Sequence, residues 1–260
     1  MTVDVLLVPL VALLGLGVGS AAAHLGEATL AKRAVAAPRC PYCTAPYTPL
    51  QWSATLALLV GRGRCPVCGR RVRAPRVAGE LLLAIGWGLL VGIHGLTPRV
   101  GFAMLALIPQ AIIMVTDLEA RLVPNRIMLP SLAAILIAGT LFGPALPEID
   151  QSPWWLCIAG AGVGFGVFRV LVWVGVAIFG EGALGEGDMT LATYVGGVVG
   201  FPLIVESLVL TFALGGVGAS LVLLVRRGGL RTAIPYGPFI ILGCAITQIW
   251  GASILAWYLS

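Results

Sequence analysis

Long runs of apolar residues constrain this chain more than any other feature of its sequence. Most of the runs are close to the roughly 20 residues that cross a bilayer as a helix, and the sixth is shorter. In lipid a backbone must satisfy its own hydrogen bonds, and the period-2 alternation of a membrane barrel is absent. The sequence therefore predicts an all-α polytopic membrane protein with about eight transmembrane helices. The predicted spans are 3–23, 78–95, 100–117, 127–143, 154–180, 189–201, 203–225 and 235–258.

The low charge content supports this class. Of the 260 residues, 59% are hydrophobic and 10% are charged, whereas about a quarter of the residues of a soluble domain are charged. A net charge of +5 would suit nucleic acid, but the basic residues fall between the apolar runs, as the loops of a membrane protein do. We expect a lipid bilayer as the surrounding medium and no nucleic-acid partner.

The distribution of Lys and Arg predicts the topology. With the first helix entering from outside, the inside loops are 24–77, 118–126, 181–188 and 226–234, and they hold most of the sixteen basic residues. Arg99 lies in an outside loop, and Glu148 and Asp150 lie in another. Because cytoplasmic loops are enriched in Lys and Arg, both termini are expected outside.

Three regions follow from this topology: a first transmembrane helix at 1–23, a cytoplasmic loop at 24–77 and a membrane core at 78–260. The first apolar run lacks a preceding basic segment and a clear cleavage site, so we interpret it as a retained helix. Arg169 interrupts the fifth span, where a charge is costly. Either it pairs with a carboxylate inside the bundle or the span is misplaced.

The first cytoplasmic loop contains two Cys-x-x-Cys pairs. Cys40 and Cys43 form the first, and Cys65 and Cys68 form the second. Four thiolates from two tight turns suit a tetrahedral structural zinc site, and a reducing cytoplasm disfavours the alternative of disulfides. Since all four positions are cysteine, no open ligand position remains for catalysis. Cys157 and Cys244 stand alone in apolar spans and are expected in the core.

Two aspartates lie where lipid-facing sequence would not place them. Asp117 ends the third span, and Asp188 follows Gly185-Glu186-Gly187 before the sixth. The topology brings both to one membrane face, where two neighbouring carboxylates can hydrolyse a peptide bond, one as base and the other as acid. Either aspartate alone would be interpreted as an interfacial residue or a helix cap. The motifs Gly-x-Ser-x-Gly and His-Glu-x-x-His do not occur, so serine or metal proteolysis has no support.

With these residues in view, the sequence resembles the type IV prepilin peptidases, the Gly-x-Gly-Asp aspartic proteases of the bacterial inner membrane. The similar motifs follow one another in order along most of the chain. They are Gly19-Ser20, the paired cysteines, Arg76 with Glu80, Asp117-Leu118-Glu119 with 122–125, 185–188 and 234–239.

The resemblance implies cleavage of the short basic leader of prepilins or pseudopilins on the cytoplasmic side, usually after a glycine. It implies Asp117 and Asp188 as the catalytic pair and the four cysteines of the loop as zinc ligands. Members with this loop often also methylate the new N-terminus with S-adenosylmethionine, for which Arg76 and Glu80 are the candidate cofactor residues.

One position and one segment depart from the family pattern. Thr190 stands where lysine is common, and the segment between the cysteine pairs lacks the usual Asn and Pro residues. The second departure bears on methylation more than on cleavage. Two other hypotheses therefore stand beside a bifunctional enzyme: a peptidase without methyltransferase activity, and a non-catalytic membrane carrier or assembly factor with a zinc domain.

Overall fold

The computed structural model describes residues 6–34, 36–144, 153–180, 185–226 and 235–260. Within these ranges the chain is helical, and its only β-structure is two isolated bridges in the cysteine loop. The all-α prediction is therefore confirmed. The helices are α1 (Leu7–Leu30), α2 (Ala54–Leu59), α3 (Ala74–His94), α4 (Pro98–Ala120), α5 (Asn125–Phe142), α6 (Trp155–Phe179), α7 (Glu186–Val199), α8 (Leu203–Arg226) and α9 (Gly237–Leu259).

Seven of these helices are long and apolar enough to cross a membrane: α1, α3, α4, α5, α6, α8 and α9. Helix α7 corresponds to the short sixth span and has 14 residues. Its last nine residues, from Leu191 to Val199, are almost all buried, so this part of the helix lies inside the bundle. Large apolar side chains such as Trp173, Ile178 and Val209 are exposed on the outer helices, which is the surface that a bilayer covers.

Glycines let several helix backbones pack closely, as small residues do in membrane bundles. Between α6 and α7, a Cβ at Gly160 would lie 2.2 Å from the carbonyl oxygen of Gly196. Between α1 and α3, a Cβ at Gly19 would lie 2.8 Å from the Cα of Glu80. Neither contact leaves room for a side chain, and the second places α1 beside the polar start of α3.

The first helix differs from its predicted span. Helix α1 continues past residue 23 to Leu30, and His24 and Glu27 are buried in this extension. Hydropathy ends the predicted span at residue 23 because His24 and Glu27 are polar. In the structure both side chains are buried within the protein, so the helix continues past them. The predicted loop features at Glu148, Asp150, Arg227 and Arg231 lie outside the described residues.

The isolated cysteines and Arg169 occupy different environments. Cys157 and Cys244 are buried as expected, and Cys157 packs against Gly139. Arg169 lies inside α6 with its side chain exposed. The second of its two interpretations, a misplaced span, is therefore wrong, because α6 runs continuously through this residue. The exposed side chain also does not lie in the interior of the bundle, as the first interpretation required.

Candidate active site and metal centre

Asp117 lies in the last turn of α4 and is 3% exposed. The helix ends at Arg121, whose left-handed backbone (φ 52°) accompanies an N–H bond to the carbonyl of Asp117. The side chain of Asp117 accepts a hydrogen bond at Oδ2 from the backbone N–H of Gly237, at 3.0 Å. A Cβ on Gly237 would lie 2.7 Å from this oxygen. The start of α9 therefore holds the carboxylate in one position.

Asp188 lies in the first turn of α7, and its N–H donates to the carbonyl of Gly185 at 3.1 Å. The adjacent Gly187 packs tightly on the segment between α4 and α5, since a Cβ there would lie 2.8 Å from Cβ of Val123. This packing brings the start of α7 to the end of α4. Asp188 is close enough to Asp117 for the two negative charges to repel each other.

Tyr236 and Gly237, at the start of α9, lie near the two aspartates. Gly237 donates to Asp117, and Tyr236 lies within electrostatic reach of Asp188. Two carboxylates held close together resist joint ionisation, so they tend to share one proton. The arrangement of one ionised and one protonated carboxyl is the one that acid–base hydrolysis of a peptide bond uses.

The four cysteines of the loop converge on one point, and their sulfur atoms all lie within 4.8 Å of one another. Cys40 and Cys68 have sulfurs 3.6 Å apart, as do Cys43 and Cys65. A tetrahedral zinc ion with bonds of about 2.3 Å spaces its sulfur ligands by about 3.8 Å. The cluster therefore fits a metal ion such as zinc, with no fifth group needed.

The two cysteine pairs have the same local backbone structure. In each, the residue after the second cysteine has a positive φ (Thr44 at 60° and Gly69 at 70°) and donates its N–H to the carbonyl of the first cysteine. Burial raises the pKa of the Cys40 thiol, but hydrogen bonds from the backbone N–H groups of Tyr42 and Cys43 and from the thiols of Cys68 and Cys43 together lower the pKa to about 6. Such N–H donors favour the thiolate form that binds metal.

Glu80 ties the cysteine loop to α3 and is completely buried. Its two carboxylate oxygens accept three hydrogen bonds of 2.8 Å, from the hydroxyl of Ser53 and the backbone N–H groups of Ala54 and Thr55. These donors lie at the start of α2. The first N–H groups of a helix have no acceptor within the helix itself, and the Glu80 carboxylate accepts hydrogen bonds from these groups of α2.

Arg76 and Arg73 form the other connections of the loop. Arg76 is 1% exposed, donates to the carbonyl of Trp52 at 2.8 Å and lies 3.6 Å from Glu27 of α1. Arg73 pairs with Glu119 of α4 at 2.7 Å. These contacts account for Arg76 and Glu80 as structural residues, and contact of either with a methyl donor stays a prediction.

The structure thus brings together Asp117 with Asp188, and the four cysteines with one another. Arg76 and Glu80 lie near the start of α3 and contact the cysteine loop. Sequence reasoning missed Gly237 as a site residue, although it noted the motif at 234–239. It also missed Glu27, which the predicted span placed in the first loop and which the structure places inside α1.

Comparisons with known proteins cover the segment that contains both aspartates. Residues 102–220 match the model of the type IV leader peptidase family. A prepilin leader peptidase/N-methyltransferase of Bacillus subtilis is 30% identical over 234 residues, which cover 86% of this chain and 87% of that protein. The chain belongs to the type IV leader peptidase family.

Other relatives with the same name agree with this assignment. The protein from Aeromonas salmonicida strain A449 is 30% identical over 85% of this chain and 74% of its own length. The protein from Pseudomonas putida is 29% identical over 77% of this chain and 67% of its own length. No solved structure matches the chain. The match to the leader peptidase family contains both Asp117 and Asp188 and stops before Gly237.

Proposed function

We propose that this protein is a membrane-embedded aspartic endopeptidase that removes the leader of type IV prepilins or pseudopilins, with Asp117 and Asp188 as its catalytic pair. The observation that carries the proposal is the pair itself. Asp117 is buried and held by the N–H of Gly237, and its negative charge acts on Asp188. Family membership supplies the class of reaction and of substrate.

The pair acts by general acid–base catalysis. The ionised carboxyl takes a proton from water as the water attacks the scissile carbonyl, while the protonated carboxyl donates to the carbonyl oxygen. The tetrahedral intermediate then collapses, and the leaving amine takes a proton. The two groups titrate as a unit, so either aspartate is allowed as the starting acid.

We place this chemistry at the cytoplasmic face of the bacterial inner membrane. The support is the distribution of basic residues, which concentrate in the cysteine loop and at the end of the bundle that carries both aspartates. Arg73 of the loop contacts α4 within two residues of Asp117, through Glu119. A prepilin leader, which is basic and cytoplasmic, would reach this end first.

We further propose a structural zinc ion on Cys40, Cys43, Cys65 and Cys68, and methylation of the new N-terminus with S-adenosylmethionine. The sulfur spacing supports the first, and the names of the relatives support the second. Zinc would supply folding energy to a loop too small for a core of its own. Mass spectrometry of the mature N-terminus, after reaction with saturating methyl donor, tests methylation. An unmethylated product would favour the alternative of a peptidase without methyltransferase activity.

Single substitutions test the catalytic pair. Asp117→Asn and Asp188→Asn keep the size and acceptor oxygen of each side chain but remove its proton chemistry. Each should lower prepilin cleavage in proteoliposomes by about 100- to 10,000-fold, the range for loss of an acid or base. Glu186→Gln is the matched control, because Glu186 is an exposed carboxylate two residues before Asp188.

The same experiment separates the enzyme from a carrier. Normal cleavage by either Asn variant contradicts the pair. Loss in both variants, with unchanged thermal unfolding and a normal Glu186→Gln control, leaves no role for a non-catalytic carrier or assembly factor.

A further inference from the structure

Four buried side chains with hydrogen-bonding groups meet inside the bundle, below the proposed catalytic pair, and we call them the polar layer. They are Gln110 on α4, Tyr194 on α7, and Cys244 and Gln248 on α9. All four are at most 1% exposed. Gln248 contacts both Cys244 and the carbonyl of Ala103 on α4. The three helices that carry the residues of the site therefore meet a second time, deeper in the bundle.

Two members of the polar layer lie below site residues on the same helices. Gln110 precedes Asp117 by seven residues on α4, which ends at the site. Cys244 follows Gly237 by seven residues on α9, which begins at the site. Seven residues are two helical turns, or about 10 Å along the axis, so the residues of each pair share one helix face. Nε2 of Gln110 donates to Sγ of Cys244 at 3.5 Å, which joins α4 to α9 at this depth.

Tyr194 joins α7 to α4 at a similar depth. It follows Asp188 by six residues, and its hydroxyl donates to the carbonyl of Ala106 on α4 at 2.8 Å. Nε2 of Gln110 donates to the same carbonyl at 3.1 Å. Ala106 lies three residues before Pro109. A proline inside a helix opens the preceding turn, and neighbouring helices then supply donors to its carbonyl groups. Tyr194 therefore connects the two helices that carry the catalytic pair.

The polar layer is not the most stable way to fill this space. Oε1 of Gln110 is buried and has no hydrogen-bond partner among the residues that the structure describes. An unpaired buried acceptor destabilises a fold, and apolar side chains of similar shape would avoid this cost. Directional hydrogen bonds between helices instead specify the register of the helices, as single polar residues do in coiled coils. The layer is therefore better suited to placing helices than to stabilising them.

We propose that Tyr194 and Gln110 are positioning residues that set the separation of the two catalytic carboxylates. This inference rests on the proposed function and adds residues that act on the pair through its helices. At the site itself, the contact of Gly187 with Val123 holds the start of α7. The hydroxyl of Tyr194 adds a contact with α4 about 10 Å deeper. Two contacts at different depths fix both the distance and the angle between α7 and α4.

Two substitutions test the polar layer. Tyr194→Phe removes the hydroxyl and keeps the ring, and Gln110→Met replaces the amide with an apolar group of similar length. The control is Thr247→Val on α9. Thr247 is also completely buried, and its hydroxyl has no hydrogen-bond partner among the described residues. The control thus removes a buried polar group without breaking a hydrogen bond between helices. Thermal unfolding of each variant shows whether the bundle stays folded.

The kinetics of prepilin cleavage in proteoliposomes separate a positioning role from a structural one. For Tyr194→Phe and Gln110→Met we expect kcat to fall about tenfold with KM unchanged. A catalytic group displaced by about 1 Å costs about 100-fold, and roughly half of that displacement is expected here. Thr247→Val should have the kcat and KM of the wild type.

The dependence of kcat on pH gives the second measurement. The repulsion between the two carboxylates separates their titration steps, and it weakens as they move apart. The bell-shaped profile should therefore be narrower in Tyr194→Phe and Gln110→Met than in the wild type. Arg121 and Tyr236 also act electrostatically on the pair and are unchanged in both variants. The change in width thus reports the separation of the carboxylates.

The outcomes that overturn the proposal are distinct. Wild-type kcat and pH dependence in either folded variant would overturn the role of that residue. A lower kcat with an unchanged profile width would also overturn it, because only the fraction of active protein has then fallen. An equal loss in Thr247→Val would overturn it as well, since loss of any buried hydroxyl then has the same effect. A wild-type protein that cleaves no prepilin at any pH contradicts the proposed function itself.

Discussion

Gly237→Ala is a small substitution that isolates the position of the Asp117 carboxylate. The new Cβ would lie 2.7 Å from Oδ2 of Asp117 and 3.0 Å from its Cγ. Nonbonded heavy atoms attract best near 3.5 Å, so the carboxylate must move by roughly 0.5 Å or more. Asp117 is buried on all sides, and the N–H of Gly237 is its hydrogen-bond donor. The movement therefore strains that bond as well.

The expected magnitude follows from this displacement. Catalytic groups must be held within about 0.5 Å of their productive position, and an error of 1 Å costs about 100-fold. Weakening a hydrogen bond to a carboxylate adds about 1.5 kcal/mol, or about tenfold in rate. We expect kcat for precursor cleavage to fall by about 10- to 100-fold.

Thermal stability should change little, because the strained contact with Asp117 opposes the gain in helix propensity. Gly237 is the first residue of α9 and lacks a positive φ, so alanine is compatible with its backbone and is the better helix former by about 1 kcal/mol. The assay is initial cleavage rate in proteoliposomes together with thermal unfolding by circular dichroism. Gly216→Ala in α8 is the control, because a Cβ there meets nothing within 4 Å. Wild-type cleavage by a folded Gly237→Ala protein would refute a positioning role for Gly237.

Two further predictions concern the cysteine loop. Cys68→Ser should abolish stoichiometric zinc binding and make the loop sensitive to protease, because three thiolates hold zinc less well than four. Metal analysis of the purified protein measures the zinc content. Full zinc occupancy in this variant would contradict the assignment of Cys68 as a ligand. Glu80→Gln should lower the free energy of unfolding of the loop by about 2 to 3 kcal/mol, because an amide group then faces buried N–H donors, and thermal melts against Glu186→Gln should reveal the difference. An unchanged melting temperature would mean that the hydrogen bonds of Glu80 do not stabilise the loop.

Sequence reasoning predicted the features that depend on residue type. Apolar runs predicted the helices because the bilayer penalises every alternative. Two aspartates at the ends of such runs on one predicted membrane face, and cysteines in two pairs, indicated the candidate sites. The structure adds how these residues are arranged: the sulfurs converge, and the tight contact of Gly187 with Val123 holds the start of α7 near the end of α4.

Features that depend on partners were not predictable from one sequence. Hydropathy ended the predicted first helix at residue 23. A hydropathy pattern contains no information on the Arg76 side chain that pairs with Glu27 in the folded protein. The donor to Asp117 is a backbone N–H, which has no signature in residue type. Glu80 was noticed as a candidate cofactor residue, but only the folded loop reveals that three donors occupy its oxygens.

The last turn of α4 connects the two candidate sites. Asp117 and Glu119 are two residues apart, so their side chains leave the helix on different sides. Asp117 contacts the start of α9, whereas Glu119 contacts Arg73 of the cysteine module. A helix with its side chains is about 10 Å across, so under the proposed function a new N-terminus released at Asp117 would lie about one helix diameter from the cysteine loop. Under the proposed function, a methyl donor bound at the cysteine loop would be close to this amine before the product leaves the membrane surface.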